Sequence, residues 1–544
     1  MNEPRTTRPQ ADGFDYDWLV IGSGFGGSVS SLRLAEKGYR VGVLEQGRRF
    51  RDEDFAKSTW NFRDFNWIPS LGMRGTFRLR AFKDIFIACG VGLGGGSLVY
   101  ANTLYRAGPD FYRNPQWAGM DDWESALAPH YDTAEKMLGV QTVPRGSVNQ
   151  EYLKEIGRHF DVEDTFRRTP CGVFFGEAGE TVPDPYFGGE GPDRTGCIYC
   201  GACMQGCRVG AKNTLMKNYL WFAEKRGVEC HTERQVIDIQ PLGAGDGSEG
   251  YRVLTQHPGA WLRKRPREFR ARGIVFSTGA LGTNMLLAKC KLNGSLPNIS
   301  DRLGSLVRTN SESILAVTMP KGTENVWNDV MISGSIHPRP DTHIELNTFG
   351  KNADSLAYLQ TLMTGKGNWL TRPFRWLGQV LRHPLLFLQT LWPVGWSRRS
   401  IIVLVMQTLD NAISFRAKRG LFGRFRLVTE QDPEKPNPTY IDIANEATGY
   451  LAEKYGGFAQ SSVLEALANI PTTAHILGGA VIGDSPANGV VDRDNRVFGY
   501  RNMLICDGST MPANPGVNPS LTITALSELA MSKVPEAIDK WWSA

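Results

Sequence analysis

Directly after the apolar run WLVI, Gly22, Gly24 and Gly27 form G-x-G-x-x-G, and no other stretch restricts the fold as strongly. Using it requires a strand, a glycine turn and a helix. The first glycine turns the chain tightly, the second lets backbone approach a pyrophosphate, and the third lets the helix pack on the strand. The helix N-terminus then faces the phosphates with its positive end. Glu45 closes the next strand, 23 residues after Gly22, where a carboxylate can accept both ribose hydroxyls. An acid there disfavours a 2′-phosphate, so the ADP-ribose of FAD or NAD is expected, with Phe25 beside the turn.

Two more apolar strands followed by glycine stand far downstream, in RGIVFSTGALGTNMLL near 272 and NMLICDGSTMP near 502. A Rossmann-type sheet assembled from distant segments accounts for all three. The expected architecture is therefore α/β and α+β, a dinucleotide-binding domain interleaved with a substrate domain on a mixed or antiparallel sheet. The first domain takes 15–104, 206–309 and 471–544. A cap region takes 105–205, and 310–470 forms the substrate domain, with HIELNTFG and IIVLVMQTLD as strands. GVGLGGGSLVYANTL (90–104) holds too many glycines for a plain helix or strand, so backbone must approach something flat or anionic there. WLRKRPREFRAR (261–272) reads as a solvated hairpin arm, and residues 1–14 as a disordered lead.

The net charge of +5, from 61 basic and 56 acidic residues, is too mild to imply nucleic acid. The opening residues MNEPRTTRPQADG lack an apolar h-region, so no export signal is expected. No apolar run reaches the ~18 residues needed to span a bilayer. A soluble, cytoplasmic chain is expected. Of nine cysteines, Cys197, Cys200, Cys203 and Cys207 fall within eleven residues, which is no secreted disulfide framework.

The stretches VIGSGFGGSVSSLRL, GVGLGGGSLVYANTLY, FSTGALGTNMLL, AHILGGAVIGD and DGSTMPANPGVNPSLTITALSE resemble those of the glucose–methanol–choline (GMC) flavoprotein oxidoreductases. The resemblance covers nearly the whole chain. It is strongest to the cholesterol oxidase-like branch of intracellular, actinobacterial type, which shares TVPDPYFGG, GAKNTL and RTNSES. The resemblance implies FAD in an extended pose, with Gly95 and Gly96 near the flavin and Val236 at the adenine. Asp507 and Gly508 match the position at the ribityl and pyrophosphate portion.

It also implies that His475 and Asn518 carry alcohol oxidation. A histidine suits proton removal because it titrates near neutrality, and the asparagine amide can bond the substrate oxygen. The helix after Pro519 would point its positive end at the flavin pyrimidine. In this branch a glutamate moves a proton during Δ5–Δ4 double-bond isomerisation. Glu345 falls in the comparable stretch and shares its strand face with His343; the competing reading is a glutamate facing solvent. The implied substrate is a sterol alcohol, with O2 or an electron-acceptor protein or quinone taking the electrons. The rival is an FAD and iron–sulfur dehydrogenase of another bulky or long-chain alcohol.

The C-x2-C-x2-C-x3-C spacing is that of ferredoxins, although Arg208 replaces the proline that usually follows. An iron–sulfur cluster serving as electron exit is the favoured occupant. Structural zinc and reduced structural thiols are the alternatives, with Cys171 and Cys230 as spare ligands. Finally, 367–400 mixes four tryptophans with arginines and apolar runs. That composition suits a peripheral membrane contact, a helical lid, or both.

Overall fold

The computed structural model describes residues 13–260, 264–323, 325–420 and 423–539. The lead up to residue 12 and the tip of the basic stretch, 261–263, lie outside the described residues.

Tyr16–Ile21 is a central strand, buried from Trp18 onward, as a strand covered on both faces must be. It pairs in parallel with Val41–Leu44 on one side and with Arg267–Phe276 on the other. Glu229–His231 extends the first edge, and Met503–Ile505 lies parallel to Arg267–Phe276. Tyr251–Gln256 and Gln235–Pro241 complete a seven-stranded sheet as antiparallel additions. From Arg267 onward the basic stretch thus forms one arm of a hairpin.

Ile21 aligns with Phe276, and Phe276 with Ile505. The three strands therefore end side by side, and the turns at Gly22, Ser277–Gly279 and Asp507–Gly508 converge. Ligands bind at such carboxyl ends in open parallel sheets. Helix α1 (Phe25–Glu36) starts from the first of these turns.

The second sheet has seven antiparallel strands in the order 360–362, 458–462, 313–318, 400–407, 342–347, 332–339 and 167–168. Successive side chains alternate between its faces. Leu315, Val317, Val403 and Val405 pack with Ile156 and Leu451 from two covering helices. Ile314, Ile402 and Leu404 face the other way, into a cavity between the two sheets. Because both faces are buried, Ser400–Gln407 is apolar almost throughout instead of alternating. The segment 367–400 folds as helix α2 (Thr371–Arg382) and helix α3 (Pro384–Leu391), before this strand. Helix α4 (Ser520–Ser532) closes the chain against α1.

Candidate active site

The cavity has a volume of about 710 Å³. Gly22, Gly24, Phe25, Glu45, Gly95, Gly96, Val236, Asp507, Gly508, Asn518 and Pro519 all line it. The glycines divide by role. Gly22 has φ +95°, and a Cβ there would lie 2.3 Å from Ser277 O. At Gly27, which does not line the cavity, a Cβ would lie 2.1 Å from Gly22 O. These two serve the tight turn and the helix–strand contact. At Gly24, by contrast, the nearest protein atom to a Cβ is Ser277 O at 4.0 Å, and at Gly96 it is Phe25 at 3.7 Å. Those two leave room for something other than protein.

Polar groups surround that room. Glu45 accepts from Ser23 Oγ at 2.7 Å and from Gly47 N–H at 2.8 Å. Asp507 accepts from Gly279 N–H at 2.9 Å and Thr283 Oγ1 at 2.6 Å with one oxygen, and from Ser509 with the other. The N-terminus of α4 has no side-chain cap, and Asn518, Pro519 and Ser520 bring it to the cavity wall. Backbone cradle, buried carboxylates and free helix end fit a bound dinucleotide.

His475 and Asn518, read from the sequence as a pair, both line the cavity. The His475 N–H donates to Thr473 Oγ1 at 3.0 Å. Its Nδ1 is hydrogen-bonded to Glu312, whose other oxygen accepts from Ala474 N–H at 2.7 Å. Burial alone would push the imidazole toward its neutral form. The Glu312 carboxylate outweighs it through charge and hydrogen bond, with Glu345 adding to the effect, so the His475 pKa lies above the ordinary value.

Asn518 donates from Nδ2 to Glu345 Oε2 at 3.4 Å, while its buried Oδ1 has no partner among the described residues. A buried acceptor left open beside a cavity is a place for a ligand donor. Glu345 is fully buried, which removes the solvent-facing reading. It reaches the cavity through Asn518 and does not line it. Its second oxygen bonds His343 Nε2 at 3.1 Å, and His343 Nδ1 lies 3.2 Å from Nε2 of His337. His337 is exposed, so a chain of polar groups runs from the surface to Asn518.

Glu312 was not legible as a site residue. It sits in RTNSES, where nothing in the spacing separates a buried carboxylate from a turn glutamate.

Phe77, Leu79, Met331, Phe349, Leu359 and Leu404 add apolar walls to the same cavity. Met204, inside the cysteine loop, also lines it. Buried Lys212 ties that loop to the glycine-rich stretch by donating to Leu98 O, Tyr100 O and Cys203 O at 2.8–3.1 Å.

The iron–sulfur expectation finds no support in the placement of Cys197, Cys200, Cys203 and Cys207. Among the described residues, no group of three or more His, Cys, Asp or Glu side chains is placed to hold a metal ion. Cys197 packs with Val143, Cys171, Val173 and Val330, and its Sγ accepts from Tyr199 N–H at 3.4 Å. Cys203 packs instead beside Phe349, Leu356 and Trp396. As placed, the loop does not fit a cluster.

One cavity lined by a dinucleotide cradle, by apolar side chains and by His475 and Asn518 suits a dinucleotide-dependent oxidoreductase. Residues 422–527 match the family model described as GMC oxidoreductase. The chain is 46% identical to a cholesterol oxidase of Acinetobacter baumannii over 528 residues, covering 96% of this chain and 95% of the relative. It is 48% identical to a cholesterol oxidase of Mycobacterium tuberculosis over 534 residues, covering 96% and 91%. Among solved structures it is similar to pyridoxine 4-oxidase from Mesorbium loti, with TM-score 0.60, 14% identity and coverage of 95% and 98%. It is also similar to a fungal aryl-alcohol oxidase, with TM-score 0.57, 14% identity and coverage of 97% and 99%. The chain belongs to the GMC oxidoreductase family, in its cholesterol oxidase branch. Its cofactor is FAD, and it acts on CH–OH groups.

Proposed function

We propose that the protein oxidises the ring hydroxyl of a sterol such as cholesterol, with O2 as electron acceptor. The observation that carries this reading is a single cavity lined by the dinucleotide cradle, by apolar side chains and by His475 and Asn518. Gly22, Gly24, Glu45, Gly95, Gly96, Val236 and Asp507 would hold FAD, which when bound accepts the hydride from the carbinol carbon. His475 takes the hydroxyl proton, and Asn518 orients the hydroxyl oxygen. The apolar walls exclude water, so the sterol rings are held by burial, at roughly 25 cal/mol per Å² removed from water. Glu345 supports Asn518; the proton transfer of isomerisation has no direct contact between Glu345 and the cavity to draw on.

Heat-released cofactor from purified protein should be FAD in near-stoichiometric amount; NAD alone, or no dinucleotide, would overturn the cofactor reading. Anaerobic flavin reduction by cholesterol tests the substrate. Reduction by long-chain alcohols but not by sterols would move the reading to the long-chain-alcohol oxidases, which the chain resembles at 24% identity.

We also assign the face formed by α2 and α3 to contact with a lipid surface. Phe374, Leu381 and Leu385 on these short helices, and Trp392 directly after α3, are each about three-quarters exposed. No helix among the described residues is long and apolar enough to cross a membrane. From 355 to 409 the chain carries no carboxylate but has Lys366, Arg375, Arg382, Arg398 and Arg399, a charge pattern suited to anionic lipid. Trp376 Nε1 donates to Thr361 Oγ1 at 2.9 Å, beside the cavity residues Leu359 and Gln360. The apolar face thus adjoins the chamber. Paired Leu381→Asp and Leu385→Asp changes should lower co-sedimentation with anionic vesicles by about tenfold and leave turnover of detergent-dispersed sterol intact. Unchanged vesicle binding would overturn the assignment.

A further inference from the structure

Two non-glycine residues in succession, Asn310 (φ 58°) and Ser311 (φ 45°), hold left-handed backbone just before Glu312. Such strain persists only where the surroundings impose it, and it clusters at working sites. The surroundings here are dense. Asn310 accepts from Gly516 N–H at 3.0 Å and donates from Nδ2 to Val517 O at 3.0 Å. Its own N–H donates to Asn514 Oδ1 at 2.8 Å. These bonds fasten the loop that ends at Asn518. On the other side, Thr309 O accepts from Thr473 Oγ1 at 3.0 Å, and Glu312 bonds the backbone of Ala474 and the ring of His475. One buried turn therefore grips both segments that carry the reacting side chains. Burying a carboxylate is costly unless it is paired and hydrogen-bonded, and the charge facing Glu312 here is the imidazole of His475.

We propose that Glu312 is the positioning residue of His475, accepting the Nδ1–H hydrogen bond so that Nε2 presents its lone pair to the substrate hydroxyl. An ionised carboxylate can only accept, so the pairing selects the Nδ1–H tautomer. When the substrate O–H bond breaks, the proton goes to Nε2, and the resulting imidazolium is stabilised by the adjacent carboxylate. The histidine must be unprotonated at Nε2 to act. Because Glu312 holds its pKa up, activity is lost as pH falls through that raised value. The charged neighbours bearing on His475 are Glu312 and, beyond it, Glu345, which is itself bonded to His343 and Asn518.

The inference rests on the reading above that His475 takes the hydroxyl proton. Its test is anaerobic flavin reduction in the holoenzyme across pH, using any alcohol that reduces the wild-type flavin. A failure of the sterol reading then stays separate from a failure here. In Glu312→Gln the amide can donate to Nδ1 and favour the wrong tautomer. The limiting rate should fall by about 10²-fold with little change in half-saturation and in FAD content. With the carboxylate charge gone, the acid limb should move to lower pH. Glu312→Asp keeps charge and acceptor, and should recover about tenfold of the loss with a limb close to wild type. A glutamine variant within about twofold of wild type and with an unmoved limb would overturn the proposal. So would an aspartate variant no better than glutamine, or both variants failing to load FAD, since the carboxylate would then hold the fold and not the base.

Discussion

Anaerobic flavin reduction in a His475→Ala variant will be slower than in wild type by about 10²-fold or more, the usual scale for losing positioned proton transfer. FAD will stay bound, because His475 lines the cavity without being part of the glycine cradle. The loss should appear mainly in the limiting rate, since the chamber walls that bind a sterol are untouched. The remaining rate should lack the acid limb that wild type owes to His475, whose raised pKa places that limb above the ordinary histidine range near pH 6.5. Reduction at the wild-type rate, or an acid limb that survives the change, would show that another group takes the proton. Glu345, the carboxylate behind Asn518, would then be the first candidate to reconsider.

A second large effect is expected at Gly24. Its backbone, φ −69° and ψ −164°, suits any residue, and apart from its two chain neighbours no protein atom lies closer than 4.0 Å to an added Cβ. Gly24→Val should therefore fold and melt like apo wild type, yet retain less than about a tenth of the FAD, because its side chain fills the space where backbone meets pyrophosphate. Gly22→Val is the contrasting case. Its φ of +95° and a Cβ placed 2.3 Å from Ser277 O put the clash inside the protein, so folding itself should fail. A Gly24→Val protein carrying full FAD would mean that the dinucleotide does not lie against this turn.

How far the sequence could be read depended on the distance over which each feature is encoded. The glycine turn and Glu45 are local: strand, turn and helix follow one another, and the residues nearest in sequence are nearest in space. The three apolar strands were legible because each ends in glycine, although their parallel alignment comes from contacts hundreds of residues apart. Glu312 was not legible, since its partner His475 lies 163 positions away and its own stretch looks like a polar turn. For Glu345, the face shared with His343 follows from strand period. That this face is buried behind Asn518 depends on sheet order, which a single strand does not encode. The cysteine spacing finds no such support among the described residues. Spacing yields a cluster only if the backbone turns all four sulfurs toward one point, and Cys197 and Cys203 join different apolar clusters.

The central claim is that one cavity brings a sterol hydroxyl to FAD at His475 and Asn518. It is tested most directly by mixing the holoprotein with detergent-dispersed cholesterol in the absence of oxygen and following the flavin absorbance. The account predicts that the flavin bleaches with formation of about one steroid ketone per FAD, and that admitting O2 restores the oxidised spectrum. A flavin that stays oxidised in the presence of sterol, while another class of alcohol bleaches it, would contradict the account.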